Sequence, residues 1–473
     1  MAKYRIFNLG GKQLKVSPYL QKEGDLLRCV NMDTDSIGAK TKRSGYVRYF
    51  DTPTEGTVNH LFNWTKDDGS TLFNYMFHDT GAESLLYYST QGTTNWTECG
   101  AGTFSGNHIG HAVLANTLYL GDGAGTLKFT ANGTSLSTGT IAPIGEHLAS
   151  YQNRLYVGGT ASTLFYSASG NGADWATSGT SDSSSLTIPG AGKINKLMVV
   201  NDRLVISKTS GIMYRWDGYS LRKLPTNKGL SSPYSVAETE DYFFYLNRDG
   251  VYGFNGERPE IISNPIESEI YNKSLNGIAG DIFNNAPGGM NRYNYLLSVG
   301  TVTDSLTKET IPNAVLKYDY QLNQFSDYSF ADKPTAFMSY QDNAGNMQFV
   351  LGCTNGITYK MVGTATSDYG EPIEAVMEGV LTFSDPESKK LFKEFYAFAS
   401  PGCGAKIQVS ATDSFTTVNR KWIDIGEFKD GVAHLDFPSS YVGRLLAWRV
   451  YERSADSPFT IYGFVVDLDS FKV

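Results

Sequence analysis

The feature that most constrains this chain is a degenerate repeat of strand, tight turn and strand. In its clearest copy Arg203-Leu204-Val205-Ile206-Ser207 is followed by a turn ending at Gly211, then Ile212-Met213-Tyr214-Arg215-Trp216 and a closing Asp217-Gly218. The next copy has Tyr242-Phe243-Phe244-Tyr245-Leu246, an Asp249-Gly250 turn, Val251-Tyr252-Gly253-Phe254 and Asn255-Gly256. β-Branched and aromatic runs bounded by Asn, Asp and Gly read as hairpins. Related pairs begin at Leu72 and Leu85, Asn116 and Gly125, Asn153 and Thr163, Tyr293 and Ala314, and Met347 and Gly356. Most copies follow a further apolar strand, such as Lys196–Val200 or Ala336–Tyr340, which makes three or four strands per unit. A period of roughly 37 to 54 residues is that of propeller blades, whose sheets pack radially because none can cover both of its own faces.

The expected fold is therefore all-β: a six- or seven-bladed β-propeller over residues 57–365, with an extended N-terminal arm over 1–56 and a C-terminal β-sandwich-like module over 366–473. The arm is turn-rich and poor in apolar runs. The module carries at least four strand-like runs, among them Lys406–Ser410, Arg444–Tyr451 and Ile461–Val466; Ser388–Ala397 reads as a short helix or another strand. Composition agrees: 49 glycines, 30 tyrosines and 26 phenylalanines with 19% charged residues favour short strands and tight turns. The net charge of -8 argues against a general grip on duplex phosphate. The opening residues lack a signal-peptide apolar core and no run of about 18 apolar residues occurs, so no membrane insertion is expected.

Chemical signals are weak. Cys29, Cys99, Cys353 and Cys403 form no CxxC or CxC pair and read as buried free thiols. His108 and His111 have a spacing that would suit two metal ligands on a helix, but their segment reads as a strand, where i and i+3 face opposite sides. The runs Tyr88–Trp96 and Tyr166–Trp175 resemble the Asp-box turn of sialidases, with Ser410–Trp422 a looser third case; in that turn the Trp packs between blades. The acidic pairs Glu240 with Asp241 and Glu371 with Glu374 have nothing to mark them as a glycosidase couple. Gly121–Gly125 leads into a strand and fails as a phosphate cradle. No catalytic residue, metal ligand or cofactor is assigned, and no enzyme activity is expected.

Three stretches carry a resemblance. The opening has Gly10-Gly11, Ser17-Pro18, Asn31-Met32-Asp33, Gly38 and Lys42-Arg43-Ser44-Gly45-Tyr46; the blade series follows; the ending has Gly443-Arg444, Arg449-Val450-Tyr451, Arg453, Pro458, Ile461-Tyr462-Gly463 and Val466-Asp467. Together they resemble the β-propeller tail proteins of short-tailed bacteriophages, the packaged-DNA stabilisation and tail-nozzle (tail tubular) family. The resemblance implies a virion structural component assembled in the bacterial host cytoplasm. It implies a homo-oligomer, usually a hexameric ring below portal and adaptor proteins and above distal tail or fibre proteins, which retains packaged double-stranded DNA and channels it during ejection. No insertion beyond the blades is visible, so the compact stabilisation branch fits better than the nozzle branch. The alternative is a glycan- or receptor-binding propeller of a phage tail or fibre attachment site. Arg449, Tyr451 and Arg453 alternate along one strand and are the candidate interface residues, since Arg and Tyr combine large contact area with fixed donors.

Overall fold

A computed structural model describes residues 2–15, 22–35, 38–50, 55–67, 69, 71–159, 161–239, 242–267, 270, 284–303, 309–342, 344–383, 385, 387–413, 421–454 and 458–471. The pair Glu240 and Asp241, the Ser17-Pro18 step and most of the Ser410–Trp422 turn lie outside these residues. The described chain is nearly all strand, with short 3-10 turns such as Pro233–Ser235 and Asn264–Ile266.

Seven antiparallel units follow one another from Thr57 to Met361, six of four strands and a last one of three. Their inner strands are Thr57–Thr65, Gly110–Leu114, Gly145–Tyr151, Ile194–Val200, Ala237–Glu238, Gly288–Asn291 and Pro334–Gln341, and these define blades 1 to 7. The first six blades take all four strands in sequence order. Blade 7 has only three of its own; its outer strand is Tyr46–Phe50, paired antiparallel to Thr358–Met361. The ring is thus closed by a strand that precedes blade 1, and no blade edge is left open at the joint.

Side-chain alternation explains why these sequences make blades. In the second strand of blade 5, Phe243 and Tyr245 pack against blade 4, while Phe244 and Leu246 pack against blade 6. A strand buried on both faces reads as a continuous apolar run, with successive side chains serving opposite neighbours. The same holds round the ring, where a separate apolar cluster fills each of the seven blade-to-blade interfaces. The four cysteines are free and buried, Cys99 and Cys353 at blade joints and Cys29 and Cys403 in the core beyond the blades.

Beyond the blades, two sheets face each other. One continues blade 6: its outer strand Gln324–Ser329 meets Leu26–Val30 in parallel, which pairs in turn with Ala375–Leu381, Leu445–Glu452, Lys406–Thr412 and Ile423–Asp424. The other is built on Lys389–Ala399 and Thr460–Phe471, with Ala2–Ile6, Met32–Thr34, Lys40–Lys42 and Val432–Asp436 added. Between them lie Leu26, Met377, Phe395, Trp448 and Phe464. Residues 389–399, ambiguous in the sequence, form the longest strand of the second sheet but one.

The 1–56 arm forms no body of its own. Its strands complete the C-terminal sandwich and its last one completes the propeller, so it belongs to both.

Candidate functional site

Several residues that carry the resemblance in the arm, Asn31, Asp33, Arg43, Gly45 and Tyr46 among them, converge on one buried seam between propeller, arm and module. Asn31, at φ 56°, accepts from Ser329 N–H (2.8 Å) and from Arg43 Nε (2.8 Å), and donates to the Glu374 carbonyl (2.7 Å). The Arg43 guanidinium, fully buried, grips Asp368 through both terminal nitrogens at 2.8 and 2.6 Å, donates to Ser329 O at 2.7 Å and lies 4.5 Å over the Phe330 ring. Only a planar fork makes these contacts at once. A Cβ at Gly45 would stand 1.9 Å from Ser367 O, so the chain passes Ser367 too closely for any side chain. Tyr46 then drops into the core between blades 6 and 7.

More charge is buried alongside. Lys12 meets Asp327 at 2.5 Å, Lys42 pairs with Glu452, and the Asp33 carboxylate accepts from Lys317 and Tyr328. Burial alone would raise the Asp33 pKa, but the Lys317 charge and the two hydrogen bonds outweigh it and hold the carboxyl below its ordinary range.

On the solvent side of the larger module sheet, register places Arg28, Glu378, Arg449, Gln408 and Asp424 in one cross-strand row. Arg449 donates to Gln408 Oε1 at 2.5 Å and its guanidinium lies 4.6 Å over Trp422 and 5.5 Å from the Tyr451 ring. Arg453, just beyond the strand end, meets Glu374 Oε1 through Nε at 3.0 Å. The three candidate interface residues therefore share one neighbourhood, and both arginines already have partners within the chain. Arg449 and Tyr451 are half-buried; Arg453 is exposed.

A second concavity runs along the propeller axis, about 560 Å³, lined by the inner strands of all seven blades. Its wall mixes His60, His111, Glu146, Lys196, Tyr234 and Glu238. His60 Nε2 and His111 Nδ1 are 3.2 Å apart, His108 stacks on Tyr234 with centroids 4.0 Å apart, and Tyr234 donates to Glu146 at 2.5 Å. His108 precedes the Gly110–Leu114 strand, and its ring lies on Tyr234 whereas that of His111 meets His60. Burial lowers His108 and His111 to about 4 and His147 to about 3, which leaves all three rings neutral at pH 7. Burial also lowers Lys196, against the opposing pull of Glu146 and Glu238. His60, His111 and His147 sit in the inner strands of three successive blades, a recurrence visible in the sequence once those strands are aligned but hidden by the His108–His111 spacing.

The Asp-box-like turns are structural. Trp96 packs at the joint of blades 7 and 1 and donates to Thr358 Oγ1 at 3.0 Å, while Trp175 fills the joint of blades 2 and 3. Asp122, in the glycine-rich turn, accepts from the N–H groups of Ser105, Gly106, Ala124 and Gly125, which hold its carboxyl low although burial pushes the other way. Glu371 is exposed at a sheet edge and Glu374 is tied to Arg453. Among the described residues, one group of three metal-ligating side chains converges: Glu394, His434 and Asp436, on the smaller module sheet.

No protein-family model and no curated protein matches the chain. Among solved structures it is similar to BamB from Moraxella catarrhalis, at 13% identity and a TM-score of 0.39 over 77% of this chain and 99% of that one. It is also similar to YCF48 from Cyanidioschyzon merolae, at 9% identity and 0.42 over 67% and 98%, and to Sqt1 from Saccharomyces cerevisiae, at 7% identity and 0.40 over 67% and 99%. None of these likenesses bears on what the chain does.

Proposed function

We propose that the chain is a non-enzymatic structural component of a short-tailed bacteriophage tail, assembling as a ring around the path of packaged DNA. The observation that carries this reading is the seam. Among the arm residues on which the resemblance rests, Arg43 and Asp33 tie the arm to module and propeller through buried ion pairs, with Asn31 hydrogen-bonded and Tyr46 packed beside them. Such a lock suits a part that keeps its shape under internal pressure better than one that opens around a substrate. Deeply buried pairs also fix geometry more than they add stability.

The axial channel sets the scale of any conduit. A cavity of about 560 Å³ cannot pass a duplex, whose major groove alone is about 12 Å wide. DNA guided by this protein would run between copies, along a lumen ringed by propellers of net negative charge, which repel phosphate and let the duplex slide.

Electron microscopy of the purified chain, together with its molar mass in solution, tests the reading. Closed rings with a central pore wide enough for duplex DNA are expected, sixfold if the family resemblance holds. The paired substitutions Arg449→Glu and Arg453→Glu should yield folded chains that no longer close rings. A monomer at all concentrations would overturn the reading, and a monomer that bound host glycan would favour the receptor-binding alternative.

A further inference from the structure

The smaller module sheet carries a cross-strand row of carboxylates with an imidazole beside it. Register sets Asp467 directly opposite Glu394, and Glu394 directly opposite Asp436, on three adjacent strands. All three lie on the face turned away from the sandwich core, because Phe395 and Val466, their neighbours in sequence, point into it; Asp436 is exposed, Glu394 half-buried and Asp467 covered. Directly opposed like charges stand with Cβ atoms about 5 Å apart and destabilise a sheet. Cations stand at one end of the row: Lys3 lies directly opposite Asp467 on the first strand, and Lys393, paired with Asp469 at 2.5 Å, also feels the charges of Asp467 and Glu394.

Two further observations point to a bound cation. Asp467 is 4% exposed, and its Oδ1 is buried without a hydrogen-bond partner, a costly state for a carboxylate unless something positive meets it. His434 joins the group from the Asp436 strand, two residues earlier and so on the same face. Its ring is stacked on Tyr396, centroids 4.3 Å apart and 14° from parallel, and its Nε2 lies 3.3 Å from Asp436 Oδ1. That separation is the edge of a tetrahedron with metal–ligand bonds of about 2.0 to 2.1 Å. One ligand atom from each of Glu394, His434 and Asp436 falls within 4.8 Å of the others. Tyr396 Oη donates to Glu394 Oε2 at 3.0 Å, the kind of outer contact that orients a ligating carboxylate.

We propose that Glu394, His434 and Asp436 form a binding site for a divalent transition-metal ion of the zinc class, with Asp467 adding negative charge from the neighbouring strand. Imidazole among the donors favours this class over calcium or magnesium, which take oxygen ligands alone. The ion ties the edge strand Val432–Asp436 to the neighbouring Lys389–Ala399 strand. The site is independent of the proposed tail role and lies on a different sheet from Arg449.

Isothermal titration calorimetry of the whole chain, stripped with chelator and titrated with zinc chloride, tests it. One saturable site per chain is expected, weakened at least about tenfold by His434→Ala and by Asp436→Asn. Zinc should raise the thermal midpoint of the parent chain and leave that of the His434→Ala chain unmoved. Both substituted side chains are exposed, so the variants should fold. The pair His60→Gln and His111→Gln, which removes the channel imidazoles, should bind zinc as the parent does. Absence of saturable binding, or binding that survives both His434→Ala and Asp436→Asn, overturns the proposal; so does binding lost only with the channel histidines, or calcium bound more tightly than zinc.

Discussion

Arg43 shows how much one side chain can be asked to do in this fold. Its removal by Arg43→Ala would strand the buried Asp368 carboxylate and leave Asn31 Oδ1 and Ser329 O with one donor fewer. Breaking a buried pair from one side costs about 3–5 kcal/mol, so the urea midpoint should fall accordingly, and Arg43→Lys should recover only part of the loss because an ammonium cannot span both carboxylate oxygens. A loss below about 1 kcal/mol would mean that the seam is loosely held. The channel histidines make a separate prediction about acid. His108 and His111 are lowered to about 4 and His147 to about 3 by burial, whereas an unfolded chain takes up those protons near pH 6.5. Between pH 6.5 and 4 the unfolded state thus holds more protons, and stability falls with pH across that window while staying flat above it. Each ring should contribute about 2 to 3 kcal/mol to the fall by pH 4. Denaturant unfolding from pH 7.5 to 4.5 should show this slope, and a chain carrying His60→Gln, His108→Gln, His111→Gln and His147→Gln should lose most of it, since burial also holds His60 well below its ordinary value.

At the scale of the element, the middle strands were the legible part. All seven strand pairs read from the sequence are the second and third strands of the seven blades, because those strands are buried on both faces and their composition has no freedom to be polar. The outermost strands were not legible: Ser184–Thr187 and Leu221–Lys223 are short and mostly exposed, so nothing in their residues distinguishes them from turns. Trp96 and Trp175 could be assigned to blade joints in advance, since an indole at the end of a tied-down turn has nowhere else to pack. The arm could not be placed. Leu26–Val30 is buried along its whole length, yet five residues with an Arg and a Cys among them carry no signal of which sheet they will join. Arg449, Tyr451 and Arg453 were read as free for a partner; the structure gives both arginines internal partners, which a single strand's sequence does not reveal. The Glu394–His434–Asp436 group escaped sequence reading for the same reason, since its members meet only through the register of separate strands.

At the scale of the molecule, a cut at residue 365 alone does not part propeller from module, because the arm belongs to both. A chain ending there would keep Leu26–Val30 and Met32–Thr34 with the module strands that cover them gone, and Arg43 without Asp368. The separable propeller is residues 45–365, with the Tyr46–Phe50 closing strand retained. That shorter chain should be soluble and unfold cooperatively, whereas residues 1–365 should aggregate; light scattering and circular dichroism of the two will tell them apart, and equal solubility would show that the arm does not depend on the module. On the tail reading, residues 45–365 should also fail to close rings. The strand that seals blade 7 has a consequence for synthesis as well. Arg43 and its acceptor Asp368 are 325 positions apart. At a ribosomal pace of about 5–20 residues per second, the arm waits roughly 15 to 65 seconds for that partner to emerge. During that interval blade after blade can stack, but the sandwich half of the arm has only water or a chaperone to cover Leu26, Cys29 and Met32. The vulnerable moment in the life of this protein is therefore its own translation, and slowing the ribosome should lower its soluble yield more than heating the finished chain by a few degrees.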